Sequence, residues 1–118
     1  MVNMLGAEVD SLEVLFIADN LDLAEMYRLK LELDGYWVRI ASLDDAVAAA
    51  RARRPDILFF ELPPGRTERL DILRDVREAV HRPELPAIVL AGSTSADLKG
   101  QGALLSAADY VVRCATIR

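Results

Sequence analysis

Histidine and cysteine are nearly absent: the 118-residue chain has one of each, His81 and Cys114. A lone cysteine excludes an intrachain disulfide and a multi-cysteine metal centre, and a lone histidine excludes a histidine cluster within one chain. Basic charge is also short, with 14 Lys and Arg against 19 Asp and Glu and a net charge of −5. Coating nucleic acid or an anionic membrane needs a positive footprint, so this domain is expected to bind neither. The longest apolar runs are strand-sized, too short to span a bilayer as a helix. Residues 1–11 lack the basic start and apolar stretch of a secretory signal, and a cytoplasmic location is expected. They read as an N-terminal extension ahead of one domain over residues 12–118. Apolar residues, by contrast, are plentiful: 53% are hydrophobic against 28% charged, enough to bury a core.

The apolar residues fall in a regular alternation. Residues 14–18 form an unbroken apolar run, short and β-branched, which reads as a strand buried on both faces. Residues 21–34 are rich in helix formers and stop at Gly35. A second strand is expected over residues 36–41. Ser42 with Asp45 suggests a capping box for a helix that faces Leu43, Ala46, Val47 and Ala50 inward and is broken by Pro55. A third strand at residues 57–60 ends on Glu61, and Pro63 and Pro64 hold the following loop. Thr67 is expected to cap a helix to about His81, with Leu70, Leu73, Val76 and Val80 inward. Residues 87–91 form a fourth strand. A weaker helix is expected from Thr94 to about Ala107, and residues 109–113 form a fifth strand.

Strands alternating with helices predict an α/β fold with a parallel sheet and right-handed crossovers. Functional groups in such sheets gather at the carboxyl ends of the strands. That rule selects Ala18, Asp19, Glu61, Ala91 and Arg113 as the rim of any site. The segments 14–20, 55–62, 86–91 and 107–113, with their strand-end spacings, resemble the receiver domain of the bacterial response-regulator family. The resemblance covers nearly all of residues 12–114. It implies a doubly wound, CheY-like five-stranded sheet in the order 2-1-3-4-5. Cys114 to Arg118 follow the fifth strand here, so the sheet is expected to lack most of the family's fifth helix.

The resemblance also implies a site, and the chain departs from it. The family has an acidic pair after the first strand, an aspartate that accepts phosphate after the third, Ser or Thr after the fourth and Lys after the fifth. Here these positions read Ala18-Asp19, Glu61, Ala91 and Arg113, so they are degenerate phosphorylation-site positions. Phosphoryl transfer to a carboxylate uses Mg²⁺, a hard cation that needs oxygen ligands in a tight octahedron. Asp19, Glu61 and the carbonyl of Pro63 are the remaining candidates, and they make a weak site. Glu61 carries its carboxylate roughly 1.5 Å further out than Asp would. A misplacement on the order of 1 Å costs about 10²-fold in a reaction governed by positioning. Ala91 offers no hydrogen bond, and Arg113 prefers a bidentate carboxylate partner.

An atypical receiver, or pseudo-receiver, is therefore expected: a non-catalytic interaction module in two-component or phosphorelay signalling that works without phosphorylation and without a cofactor. The alternative is a conventional response regulator still accepting a phosphoryl group in an Mg²⁺-dependent way. A flavodoxin-like cofactor binder is disfavoured, because residues 19–21 lack phosphate-cradling donors. Glu61 is expected to pair with Arg113, or else to stand in for a phosphorylated aspartate. Asp19 is read as a helix cap before a metal ligand, and Tyr110 matches the family's switch aromatic. Cys114 reads as an inert apolar residue, His81 as a solvated helix end and Trp37 as a strand aromatic. The missing helix should bare one sheet face, which predicts a homodimer or another protein partner, with residues 1–11 as a further cover.

Overall fold

The computed structural model describes residues 11–114, so the expected extension lies, but for Ser11, outside the described residues, as do residues 115–118. Five strands, β1 (Glu13–Ala18), β2 (Trp37–Ser42), β3 (Ile57–Glu61), β4 (Ala87–Ala91) and β5 (Asp109–Arg113), form one sheet in the order β2-β1-β3-β4-β5. Every pairing is parallel, with Phe16 opposite Ile40 and Phe59, and Ala91 opposite Arg113. The helices are α1 (Leu21–Leu33), α2 (Ala46–Ala52), α3 (Asp71–Ala79), entered through a 3₁₀ turn at Thr67–Leu70, and α4 (Ser95–Gly100). No helix among the described residues follows β5 or is long and apolar enough to cross a membrane.

Strand periodicity sorts the core into two unequal halves. Leu15, Ile17, Leu58, Phe60 and Val89 face one side, where Ala46, Ala50, Leu73, Val76 and Leu98 bring α2, α3 and α4 onto them. Phe16, Ala18 and Leu90 face the other, where α1, through Leu23, Ala24 and Tyr27, is the one helix among the described residues that meets them. On that second side Leu90 of β4 is still buried, but β5 is open among the described residues: Tyr110 and Val112 are about half exposed. The expected gap is thus narrower than a whole sheet face and lies at the edge strand.

Helix ends follow one scheme. α1, α3 and α4 each close with an i+5 backbone bond, from Tyr36 to Leu31, Arg82 to Arg77 and Ala103 to Leu98. Such a closure needs a left-handed residue just past the helix. Gly35 and Gly102 supply it at φ +97° and +90°, and His81 adopts φ +58° without being glycine. This closure at Gly102 is why α4 ends at Gly100, well short of the expected Ala107. The expected capping box at Ser42 is half made. The Ser42 hydroxyl accepts the Asp45 N–H at 3.2 Å, while Asp45 itself precedes α2 without a side-chain cap bond. Thr67 likewise caps nothing, because the chain enters a 3₁₀ turn there.

Arg77 is the buried exception on α3, at 7% exposure. Its guanidinium donates to the Leu85 carbonyl at 2.9 Å and to Asp109 at 2.6 Å, and Asp109 also accepts the Ser106 N–H at 2.9 Å. One side chain thereby ties α3 to the loop before β4 and to the start of edge strand β5. Removing one partner strands a buried charge, so Arg77→Met is expected to cost about 3–5 kcal/mol. Arg77→Met with Asp109→Leu should recover much of that loss, measured by urea unfolding. A second expectation concerns α4, six residues long with Leu98 as its buried residue. A helix so short is marginal by itself, and its amides should exchange with deuterium faster than those of β3.

Candidate functional site

The carboxyl ends of β1, β3, β4 and β5 bring the rim residues to one edge of the sheet, as the parallel topology requires. Ala18 and Ala91 are buried there at 3% and 1% exposure. Asp19 and Arg113 are exposed, and Glu61 is buried at 6%. The five rim residues expected from the sequence are thus assembled at one edge, and Ala18 and Ala91 offer only methyl groups there.

Glu61 has the most constrained of these side chains. Its Oε1 accepts the backbone N–H of Asp19 at 2.9 Å and of Asn20 at 2.7 Å. No ion pair joins it to Arg113 among the described residues, so the expected pairing is corrected. The reason is direction: Arg113 ends an edge strand and projects to water, whereas two unpaired amides face the end of β3 from the β1–α1 turn. Amides at a helix start carry partial positive charge, and a carboxylate is the natural group to meet them. The longer glutamate arm supplies the reach.

Asn20 completes the turn and takes the capping role expected of Asp19. Its side-chain oxygen accepts the N–H groups of Asp22 at 2.9 Å and Leu23 at 3.3 Å, and its carbonyl accepts that of Ala24 at 3.2 Å. Sequence reading passed over Asn20, although an Asn just before a helix-forming run is a strong cap signal. Asp19 is left free at its carboxylate, facing a cleft of about 430 Å³ lined also by Asp44, Pro63, Arg66 and Arg69. Arg69 reaches Asp44 at 3.4 Å, and Arg66 pairs with Glu68. Neither arginine was anticipated.

These contacts decide the fit of a magnesium ion. Glu61 spends Oε1 on two amides, and the Pro63 carbonyl accepts the Arg66 N–H at 3.1 Å. Asp19 and the second oxygen of Glu61 remain as anionic donors, with the Arg66 guanidinium in the cleft beside Asp19. Among the described residues no three His, Cys, Asp or Glu side chains gather as a metal site. The donor set does not suit a cation that demands several oxygens at once. Tyr110 stands apart, more than half exposed and paired in register with Ile88. Cys114 sits against the Tyr27 hydroxyl at 3.7 Å, where burial first, and the cysteine second, raise the phenol pKa.

Burial is also the main influence on Glu61 and raises its pKa above the usual 4.5; the two amides oppose that rise, and the Asp19 charge adds to it. The folded state therefore holds the proton more tightly than the unfolded chain. Stability linked to Glu61 is fully present below pH 4.5 and is lost as pH climbs through the raised folded value. Glu61→Gln keeps an oxygen for both amides and removes the charge. In urea unfolding across pH, the gap between the two proteins should be flat below 4.5 and should widen in favour of Gln above it. Glu61→Ala, which leaves both amides without their acceptor, should cost about 1–3 kcal/mol below pH 4.5 and less above it, where the wild type itself loses stability.

Comparisons with known proteins bear on this edge. No family model matches the chain. Over 111 residues, 93% of its length, it is 29% identical to the probable transcriptional regulatory protein TcrX of Mycobacterium tuberculosis, and it spans about half of that protein, 47%. The Vibrio cholerae chemotaxis protein CheY4 shares the fold with a TM-score of 0.73 at 23% identity, with 87% of both chains covered. A candidate response regulator of Chloroflexus aurantiacus is 30% identical at a TM-score of 0.66, over 86% of this chain and 84% of that one.

Proposed function

The chain belongs to the receiver family of response regulators, and we propose that it serves two-component or phosphorelay signalling as a phosphorylation-independent module that docks a protein partner. The observation that carries this reading is the Glu61 carboxylate, buried and held by the Asp19 and Asn20 amides. Phosphoryl transfer is almost wholly positioning and charge stabilisation. An attacking oxygen must be free to approach the donor, and the transferred group needs cations and hydrogen-bond donors around it. One oxygen at the acceptor position is tied back into the protein, which fixes the carboxylate in place, Ala91 brings no donor, and the remaining anionic metal donors are few. The internal carboxylate takes the amides that an added anion at this edge would otherwise seek.

The test is incubation with a small-molecule phosphodonor and Mg²⁺, read by intact mass. No gain is expected. A gain of one phosphoryl group that disappears in Glu61→Gln would overturn this reading in favour of the conventional, Mg²⁺-dependent regulator.

A further inference from the structure

Helix α1 is apolar on two sides, and its fold uses one of them. Leu23 and Ala24 are buried, and the Tyr27 ring lies 5.8 Å from Phe16 and 6.5 Å from Phe59. At 100° per residue, Met26, Leu29 and Leu33 share a separate stripe centred roughly 130° round the helix from the buried one. They are 45%, 59% and 88% exposed. Single exposed apolar residues are ordinary, but a helix laid on a sheet normally turns a polar back to water.

We propose that this stripe is the contact surface of a parallel homodimer, in which α1 packs against α1 of a second copy of this chain. The spacing 26, 29, 33 is the a-d-a repeat of paired helices. In that frame Glu25 and Glu32 flank the stripe on the g side and Lys30 on the e side. A parallel pair brings g of one helix beside e of the next heptad on the other, which sets Glu25 against Lys30 of the second copy, twice over by symmetry. An antiparallel pair would instead oppose glutamates to glutamates and lysine to lysine. Arg28 bonds Glu25 at 2.6 Å and Glu32 at 3.5 Å from the side away from the stripe, so the acidic row stands in place before any partner arrives. The charges therefore select a copy of this helix, in one orientation. Nothing in this inference depends on whether Glu61 accepts phosphate.

Sedimentation equilibrium of the full chain tests it. The expected mass is twice 13.0 kDa, returning to 13.0 kDa in Leu29→Glu, whose exposed site leaves the fold intact by circular dichroism. Lys30→Glu should raise the dissociation constant about tenfold, and adding Glu25→Lys should restore it. In a Cys114→Ala background, Met26→Cys and Leu33→Cys should each form a disulfide-linked dimer, because a residues meet across a parallel pair. A monomer at high concentration, a dimer indifferent to Leu29→Glu, or a dimer that crosslinks at neither cysteine would each overturn the proposal.

Discussion

A carboxylate buried at the end of a strand must find donors, and Glu61 finds them on the neighbouring turn. The Asp19 and Asn20 amides would otherwise be orphans at the start of α1. A single oxygen thus satisfies the end of β3 and the entry to α1 together. The arrangement of the whole edge follows from it. Asn20 is freed to cap the helix with its side chain, Asp19 is turned out to the cleft, and Arg113 is left to solvent.

The second fixed point lies at the opposite end of the sheet. Arg77 and Asp109 join α3 to the start of β5, with side-chain exposures of 8% and 4%. Among the described residues β5 pairs with β4 alone and has no helix over one face. An edge strand so placed has few apolar contacts to hold it, and the ion pair with its satellite bonds to Leu85 and Ser106 does part of that holding. The pair gains little over an apolar substitute in net energy, but it fixes where the edge strand begins.

Much of this was legible in the chain because buried parallel strands write themselves as apolar runs. β4 and β5 match their expected limits, and β1 to β3 differ by a residue or so. Helix ends were less legible. A weak α4 was expected over 94–107, but the point where it stops depends on the backbone turning left-handed at Gly102. Side-chain partners were least legible. Opposite charges suggested Glu61 with Arg113, whereas the true donors are backbone amides that carry no letter in the sequence. Arg77 was hidden for a similar reason, since arginine on a helix reads as surface unless its buried partner is known. That Ala18, Glu61, Ala91 and Arg113 share one edge was legible as well, since parallel topology alone gathers strand ends.

The Glu61 tie has a consequence for how a signal passes through such a domain. A receiver that cycles stores information in the ratio of two forms, and an upstream enzyme writes that ratio. Under the proposed reading, a domain whose anion seat is filled by its own side chain has no mark to be written. Its message lies in abundance: how much of it is made, when, and how long it lasts before proteolysis. Control then belongs to synthesis and turnover, with a response as slow as those processes.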